Sequence, residues 1–308
     1  GAFSCNCATD AGTMAAQVLS ACEGQTLTAT ANGDLNLDGN DITAYVLHNG
    51  AGPALGQVFG QNATGVFSFD PAQMQFGATY YISLVAGNPS GTFPDPLDPC
   101  FSVAPGQPVQ WLQNPTPDAG QDLAICGQTI DLQAVDGNFN GTWSLISGPG
   151  TANFNDANDP ASAATVSSNG TFVFQWTELN GICSAVDDVN VTFNALPSVT
   201  ALNQICDGTN TEFTVNFTAN TGLAPYSVSG LTGAFTGNVF SSLPLPNNSS
   251  YSFILVDANG CESPGITGVQ NCACATDAGS MQNTPATFCA DVDASATWNN
   301  DATTDAND

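Results

Sequence analysis

The 308-residue chain contains no lysine and no arginine, and one histidine stands against 27 aspartates and glutamates, a formal charge of -27. Each absence excludes a class of function. Without Lys or Arg there is no basic surface to neutralise phosphates, so nucleic acid is excluded as a partner. A Walker lysine, an arginine clamp, a Schiff-base lysine and a polybasic membrane anchor are excluded with it. Lys/Arg ion pairs and lysine isopeptide cross-links cannot stabilise the fold either. Burial, hydrogen bonds, disulfides or bound cations must do so instead. Proteases that cut after Lys or Arg find no site, which suits a protease-rich exterior. Apolar runs long enough to cross a membrane, about 20 residues, are also missing, so no direct membrane insertion is expected. No signal peptide is visible and the chain opens on Gly1, which reads as a segment of something longer.

What is present points to β-structure. Hydrophobic residues make up 42% of the chain, enough for real cores, whereas charged residues make up only 9%. Ser, Thr, Asn, Gln and Gly must therefore solvate the surface, a composition that favours strands and turns over helices. No useful stretch shows helical periodicity.

The chain repeats itself. CNCATDAGTM at Cys5–Met14 returns as CACATDAGSM at Cys272–Met281. The same shift, without a gap, carries Cys22 onto Cys289, Asp34 onto Asp301, Asp38 onto Asp305, Asp41 onto Asp308 and Gly1 onto Gly268. The expectation is one period of a tandem array, with further copies of the same repeat as its neighbours. Within the period, ACEGQTLTA, ICGQTIDL and ICDGTNTEFTV each set a cysteine and a glycine before an alternating strand. Three aromatic strands follow at residues 78–85, 171–177 and 250–256. The second and third run into Asn180-Gly181 and Asn259-Gly260, a strong hairpin signal, and the first turns at Gly87-Asn88-Pro89. Proline-bearing junctions lie at 114–117 and 195–197. The expected division is the tail of a preceding domain at 1–4, β-sandwiches at 5–114, 115–196 and 197–271, and the start of the next repeat at 272–308.

Of the 11 cysteines, three belong to the second copy, leaving eight per period. Pairing each early cysteine with a later one in its own domain gives Cys22–Cys100, Cys126–Cys183 and Cys206–Cys261. Cys126 and Cys183 flank Trp143, the order in which an indole packs on an inter-sheet bridge, although Cys183 after its turn falls on a last strand. That leaves Cys5–Cys7 and Cys272–Cys274. Such Cys-x-Cys closures are tight, and Cys7–Cys22 is a rival that strands Cys100. A metal or redox Cys-x-Cys lacks histidines and activating cations nearby. Bridges on this scale imply an oxidising, extracellular setting.

CATDAGTM, then DITAYVLHNG, ATYYISLVAGN and DPCFSVAPGQPVQW, resemble repeats of giant Bacteroidota surface adhesins of the gliding-motility (SprB-like) type. PDAGQDLAICGQTIDLQ, with GTWSLISGPGTANFNDANDPASAATV and GTFVFQWTELNGICSAVDDVNVTF, is similar to their immunoglobulin/PKD-like domains. The resemblance covers nearly the whole chain, less specifically in its third domain. It implies type IX secretion and an adhesin reaching out from the cell surface. The lack of Lys and Arg departs from ordinary members of that group.

Candidate chemistry is sparse. Asp34, Asn36, Asp38 and Asp41 place oxygens at calcium-loop spacing around Gly39, but Tyr45 stands where the bidentate Glu belongs. The alternative is a polar hairpin tip. The DAG motifs at Asp10, Asp118 and Asp277 offer either a cation ligand at a domain edge or an Asx turn. Ca2+ is the one cofactor these residues suggest, and residues 155–159 read as a loop. Catalysis would have to use His48, whose neighbours supply no nucleophile pattern; it reads as a strand residue. Trp111, Trp143, Trp176 and Trp298 are core residues or sugar-stacking platforms. Taken together, the expectation is an all-β, elongated array of immunoglobulin-like β-sandwich domains, a non-catalytic segment of an extracellular adhesin or surface fibre. The alternatives are a module for surface glycans, tested by exposure of Trp111 or Tyr80, and a laterally assembled filament with neighbouring fibres as partners.

Overall fold

A computed structural model describes residues 7–135 and 137–272. Cys5, Cys274, Asp277 and Trp298 lie outside the described residues. The described chain is all-β, with no helix among its elements. It falls into two compact units, one of residues 7–123, 129–135, 137–167 and 171–191, the other of 124–128, 168–170 and 192–272.

Strands gather in three consecutive stretches. The first holds β1 (Leu19–Cys22), β2 (Thr26–Thr28), β3 (Ile42–His48), β4 (Val58–Asn62), β5 (Val66–Ser68) and β6 (Thr79–Gly87). After these come β7 (Pro89–Ser90), β8 (Phe93–Pro94), β9 (Ser102–Val103) and β10 (Gln107–Leu112). One sheet runs β1-β10-β6-β3-β4, with β9 on β6 and β1 parallel to β10, while β2 and β5 pair separately. Leu27 and Phe67 of that pair share a core with Tyr80, Ile82, Val109 and Trp111 of the larger sheet.

The other face of the first sheet is covered too: Ala44, Val46 and Val85 pack under Leu55, Phe93, Phe101 and Val103. Because β6 is buried on both faces, its apolar pattern is nearly continuous rather than alternating.

The second stretch holds β11 (Leu123–Cys126), β12 (Thr129–Asp131), β13 (Asn140–Ser147), β14 (Ala152–Phe154), β15 (Ala163–Val166), β16 (Gly170–Asn180) and β17 (Cys183–Asn194). Its sheets run β11-β17-β16-β13 and β12-β15-β14. Strand β16 alternates strictly, sending Phe172, Phe174 and Trp176 inward. Phe154 of the facing sheet meets Phe174 edge-on at 5.7 Å.

The third stretch holds β18 (Ser198–Cys206), β19 (Glu212–Asn220), β20 (Ser227–Ser229), β21 (Gly233–Thr236), β22 (Val239–Ser242), β23 (Leu245–Pro246), β24 (Ser250–Val256) and β25 (Ile266–Val269). Its sheets run β18-β19-β22-β21 and β20-β24-β25. Read as A to G, skipping the short β23, those are A-B-E-D against C-F-G, the constant-type immunoglobulin order. The second stretch gives B-E-D against A-G-F-C, the same fold with its first strand moved across. The three aromatic strands expected from sequence all occupy the F position: β6, β16 and β24. Tyr80, near the start of β6, accepts a hydrogen bond from the Gln75 amide at 2.6 Å, the tyrosine corner of such domains. Phe213, Phe217, Phe240 and Phe253 fill the third core; burying each contributes about 1.5–3 kcal/mol.

None of the expected disulfides is present among the described residues. Cys7 pairs with Cys100, Cys22 with Cys183, Cys126 with Cys261 and Cys206 with Cys272. The reason is distance. Cys22 stands opposite Leu112, beyond the Thr79 end of β6, whereas Cys100 lies beside β9 at the Ala86 end, about 25–30 Å away at strand rise. Asn190 and Gly127 donate to Asp122 and Asn194, at 2.8 and 2.9 Å, which sets Cys126 beside the far end of β17 while Cys183 begins that strand. Those ends are about 35 Å apart. Cys206 sits near Tyr251 and Cys261 just past Val256, at opposite ends of β24. A bridge tolerates only about 4.4–6.8 Å between Cα atoms, so Cys22–Cys100, Cys126–Cys183 and Cys206–Cys261 are all out of reach. With Cys7 and Cys272 engaged elsewhere, Cys5–Cys7 and Cys272–Cys274 are ruled out as well.

Candidate functional site

The bridging cysteines are the sites this chain builds with most care. Cys22 and Cys183 join the end of β1 to the start of β17, with 5.5 Å between Cα atoms. The Asn180-Gly181 turn, with Gly181 at φ 62°, presents Cys183 there, and Asn180 Nδ2 donates to the Gln113 carbonyl at 2.8 Å. Asn114 in turn hydrogen bonds to Glu23, beside Cys22. Cys126 and Cys261 repeat the device in the second unit, 5.4 Å apart, with the Asn259-Gly260 turn presenting Cys261. Asn259 Nδ2 donates to Asn194 Oδ1 at 3.3 Å.

Carboxylates organise these corners, and with no Lys or Arg in the chain they take backbone amides and hydroxyls as partners. Asp257 is 5% exposed and accepts from the amides of Cys261 at 2.8 Å and of Asn259 and Leu223 at 2.9 Å. Asp98 accepts from the amides of Asn88 and Cys100, which hold it below the ordinary aspartate value. Asp207, next to Cys206, is held down to about 2 by the Thr209 hydroxyl, then by the Glu212 and Thr211 groups that also donate to it.

The proposed calcium loop is closed by its own hydrogen bonds. Asp34 accepts the Thr13 hydroxyl at 2.7 Å and the Thr13 amide at 2.8 Å, which lower its pKa in that order. Asn36 forms a β-bridge with Asp10 and donates through Nδ2 to the Ala8 carbonyl at 2.7 Å. Asp38 Oδ1 accepts from the Asn40 amide at 3.1 Å, and Asp41 Oδ2 accepts from Thr9 Oγ1 at 2.7 Å and the Asp38 amide at 2.9 Å. Asp41 Oδ1 alone is buried without a partner. Among the described residues no three His, Cys, Asp or Glu side chains are grouped to hold a metal ion. The residues do not fit calcium, and no role is assigned to it. Asp10 and Asp118 each accept the amide two residues on, Gly12 and Gly120, at 2.9 Å. Both glycines have positive φ, 70° and 87°. These are Asx turns, the alternative reading of the motif. The 155–159 segment is likewise a loop after β14, with Asp156 accepting from the Asn158 amide at 3.0 Å and Asp159 from that of Ala161 at 2.9 Å.

His48 is fully buried on β3. One ring nitrogen, Nε2, lies 2.9 Å from Ser83 Oγ, while Nδ1 has no hydrogen-bond partner. Burial lowers its pKa, with the backbone of Leu55 and Gly50 partly opposing, so it is neutral. Its partner is a hydroxyl, not a carboxylate, and no solvent reaches the pair. Trp111, Trp143, Trp176 and Tyr80 are core residues at 0, 2, 2 and 5% exposure. Among the described residues no aromatic side chain is exposed. An open groove of about 580 Å³, lined by Leu231, Leu245, Tyr251 and Thr267, belongs to the third sandwich.

The missed residues are the actual partners of each cysteine and the carboxylates beside them. Cys-x-Cys was the available signal: Cys7 of the first pair bonds Cys100, 93 residues on, and Cys272 of the second bonds Cys206, 66 residues back.

No family model and no curated protein matches the chain. Among solved structures, the three-Ig I67–I69 fragment of titin (an E-to-A variant) is 9% identical, with a TM-score of 0.39, over 83% of this chain and 95% of that one. An ICAM-5 D1–D4 ectodomain fragment is 14% identical, with a TM-score of 0.40, over 84% and 75%. Extracellular domains 3–5 of Drosophila OTK are 10% identical, with a TM-score of 0.29, over 85% and 97%. At these identities the likeness concerns the fold alone, and the strand orders themselves establish the immunoglobulin-like arrangement.

Proposed function

We propose that the chain is a non-catalytic structural repeat of an extracellular adhesin or cell-surface fibre, of the kind its sequence resembles in gliding-motility (SprB-like) adhesins. The β-sandwiches at 5–114, 115–196 and 197–271 are its working units, and further copies of the repeat are its neighbours. One observation carries this reading: Cys22 and Cys126 each bond a cysteine from the next stretch of the chain, not from their own sandwich. Tying successive modules together covalently suits a segment whose task is to span distance and hold its spacing. Four disulfides belong in an oxidising exterior. A glycan-binding module would need an aromatic platform, and the two residues best suited to it, Trp111 and Tyr80, are buried.

The test is placement and redox state together. Antibodies against the chain should label the outer surface of intact cells of the source organism. Thiol titration in denaturant without reductant should find at most three free thiols among the 11 cysteines. Labelling confined to permeabilised cells, with the bridging thiols free, would overturn the reading.

A further inference from the structure

The four disulfides are interlaced, and we infer that they form two separate covalent routes from Cys7 to Cys272 that make the segment inextensible under load. The first route crosses from Cys7 to Cys100, follows the backbone to Cys126, crosses to Cys261 and follows the backbone to Cys272. The second follows the backbone from Cys7 to Cys22, crosses to Cys183, follows the backbone to Cys206 and crosses to Cys272. The routes share no bridge.

The lengths decide the consequence. A fully extended chain spans at most about 3.3–3.6 Å per residue, so the roughly 265 residues of backbone from Cys7 to Cys272 stretch to about 870–950 Å. Each route adds only two crossings of 5.2–5.8 Å between Cα atoms. With about 37–38 residues of backbone in either route, extension stops at about 130–150 Å. All three sandwiches can lose their hydrogen bonds without the segment lengthening beyond that. Because the routes are nearly equal and disjoint, breaking any one bridge leaves a path of the same length. Release requires a break in each. Cys272 also occupies the position of Cys5 in the repeat period.

This inference rests on the structural reading proposed above and supplies its mechanism: the segment transmits tension and does not absorb it by unfolding. A plain array of sandwiches would give out one domain's length of chain at each unfolding event. Here the bridges withhold that length.

The experiment is single-molecule stretching of the whole 308-residue chain between handles at its ends. The oxidised chain should reach its limit with the Cys7–Cys272 segment no longer than about 150 Å, and adding a phosphine reductant should release about 750–800 Å more. Cys22→Ala/Cys183→Ala should leave the limit unchanged. Combined with Cys126→Ala/Cys261→Ala, the shortest path becomes Cys7–Cys100, the backbone from Cys100 to Cys206, and Cys206–Cys272, a gain of about 230–250 Å. An oxidised chain that pays out several hundred ångströms in domain-sized steps overturns the inference, as does a single-pair variant that lengthens as much as the double. Should a variant fail to fold, mapping of unreduced peptides from the native chain reads the same four pairings directly, and any other connectivity overturns the two routes. A chain that lengthens under load although mapping returns the same four pairs overturns the inference and leaves the structural reading intact; cytoplasmic placement or a soluble substrate would sink that reading while leaving the routes standing.

Discussion

The first and second sandwiches bury aromatic cores between sheets of related order, yet they lock those cores differently. In the first, Trp111 donates Nε1–H to the Gln25 carbonyl at 3.1 Å, the tyrosine corner ties Tyr80 to Gln75, and Cys7–Cys100 closes the domain on itself. The second has no internal bridge and no tyrosine corner among the described residues, and Phe172 opens its F strand. Its lock is a pair of indoles, Trp143 and Trp176, with centroids 5.1 Å apart. Trp143 Nε1–H reaches the Pro160 carbonyl at 3.2 Å, and Trp176 Nε1–H reaches buried Glu178 at 3.4 Å. Gly141 and Gly148 leave the space that Trp176 and Phe172 fill, since a Cβ at either would collide with those rings. The difference teaches that a core dense enough in aromatics frees both cysteines of its domain for joining neighbours.

The sharpest way to break this comparison is to empty the indole layer. Trp176→Ala should cost the second sandwich about 3–5 kcal/mol, because its fully buried ring leaves a cavity that rigid strands cannot close. Amide exchange read by residue should show β13, β16 and β17 opening while β3 and β6 keep their protection. Equal loss of protection in both sandwiches would mean that the two cores are one cooperative unit. The corresponding probe of the first sandwich is gentler. Tyr80→Phe removes one hydrogen bond and leaves the ring, so it should cost about 1 kcal/mol, visible as a small shift in denaturant midpoint confined to the first sandwich. A larger loss would make the corner, rather than Trp111 and the bridge, the principal lock there.

How far the sequence revealed this follows from which interactions are local. The F strands at β6, β16 and β24 were legible because apolar patterning and aromatic content are properties of a single strand. The Asn-Gly turns were legible for the same reason, and so was Cys183 on a last strand. The cysteine pairing was not, because it depends on which end of a sandwich each cysteine occupies. That is set by strand direction: β1 lies parallel to β10, and Cys126 stands at the far end of β17 from Cys183. Trp143 between two cysteines suggested an indole on a disulfide, while Trp176, on a strand further along the chain, supplies the contact. His48 was rightly read as a strand residue, though its burial comes from a second apolar layer that sequence did not expose. Asp34 to Asp41 looked like an ion site because spacing cannot distinguish oxygens that converge on a cation from oxygens each turned to its own donor.

The smallest effect concerns the DAG corners, which the two sandwiches build alike apart from two neighbours. Ala11 and Ala119 are both 1% exposed, and their amides are held by Ser102 Oγ at 2.9 Å and Asp187 Oδ2 at 2.8 Å. Gly12, however, packs against Asp34, and Gly120 against the main-chain carbonyl of Gln133. Thr13 donates its hydroxyl and amide to Asp34 and lowers its pKa below the ordinary 3.8. A carboxyl whose folded value is depressed contributes stability that is complete above the unfolded value and disappears as pH falls through the folded one. Acid should therefore loosen the first corner through Asp34, while the Gln133 carbonyl does not titrate. Global melting is a poor readout, since protonation also relieves the repulsion among 27 like charges, and the two effects oppose. The Thr13 amide shift, followed by NMR below pH 5, isolates the local effect: its midpoint should fall below 3.8 and rise towards it when Thr13→Val removes the hydroxyl donor. A midpoint indifferent to that substitution would reassign the lowered value to the amide alone.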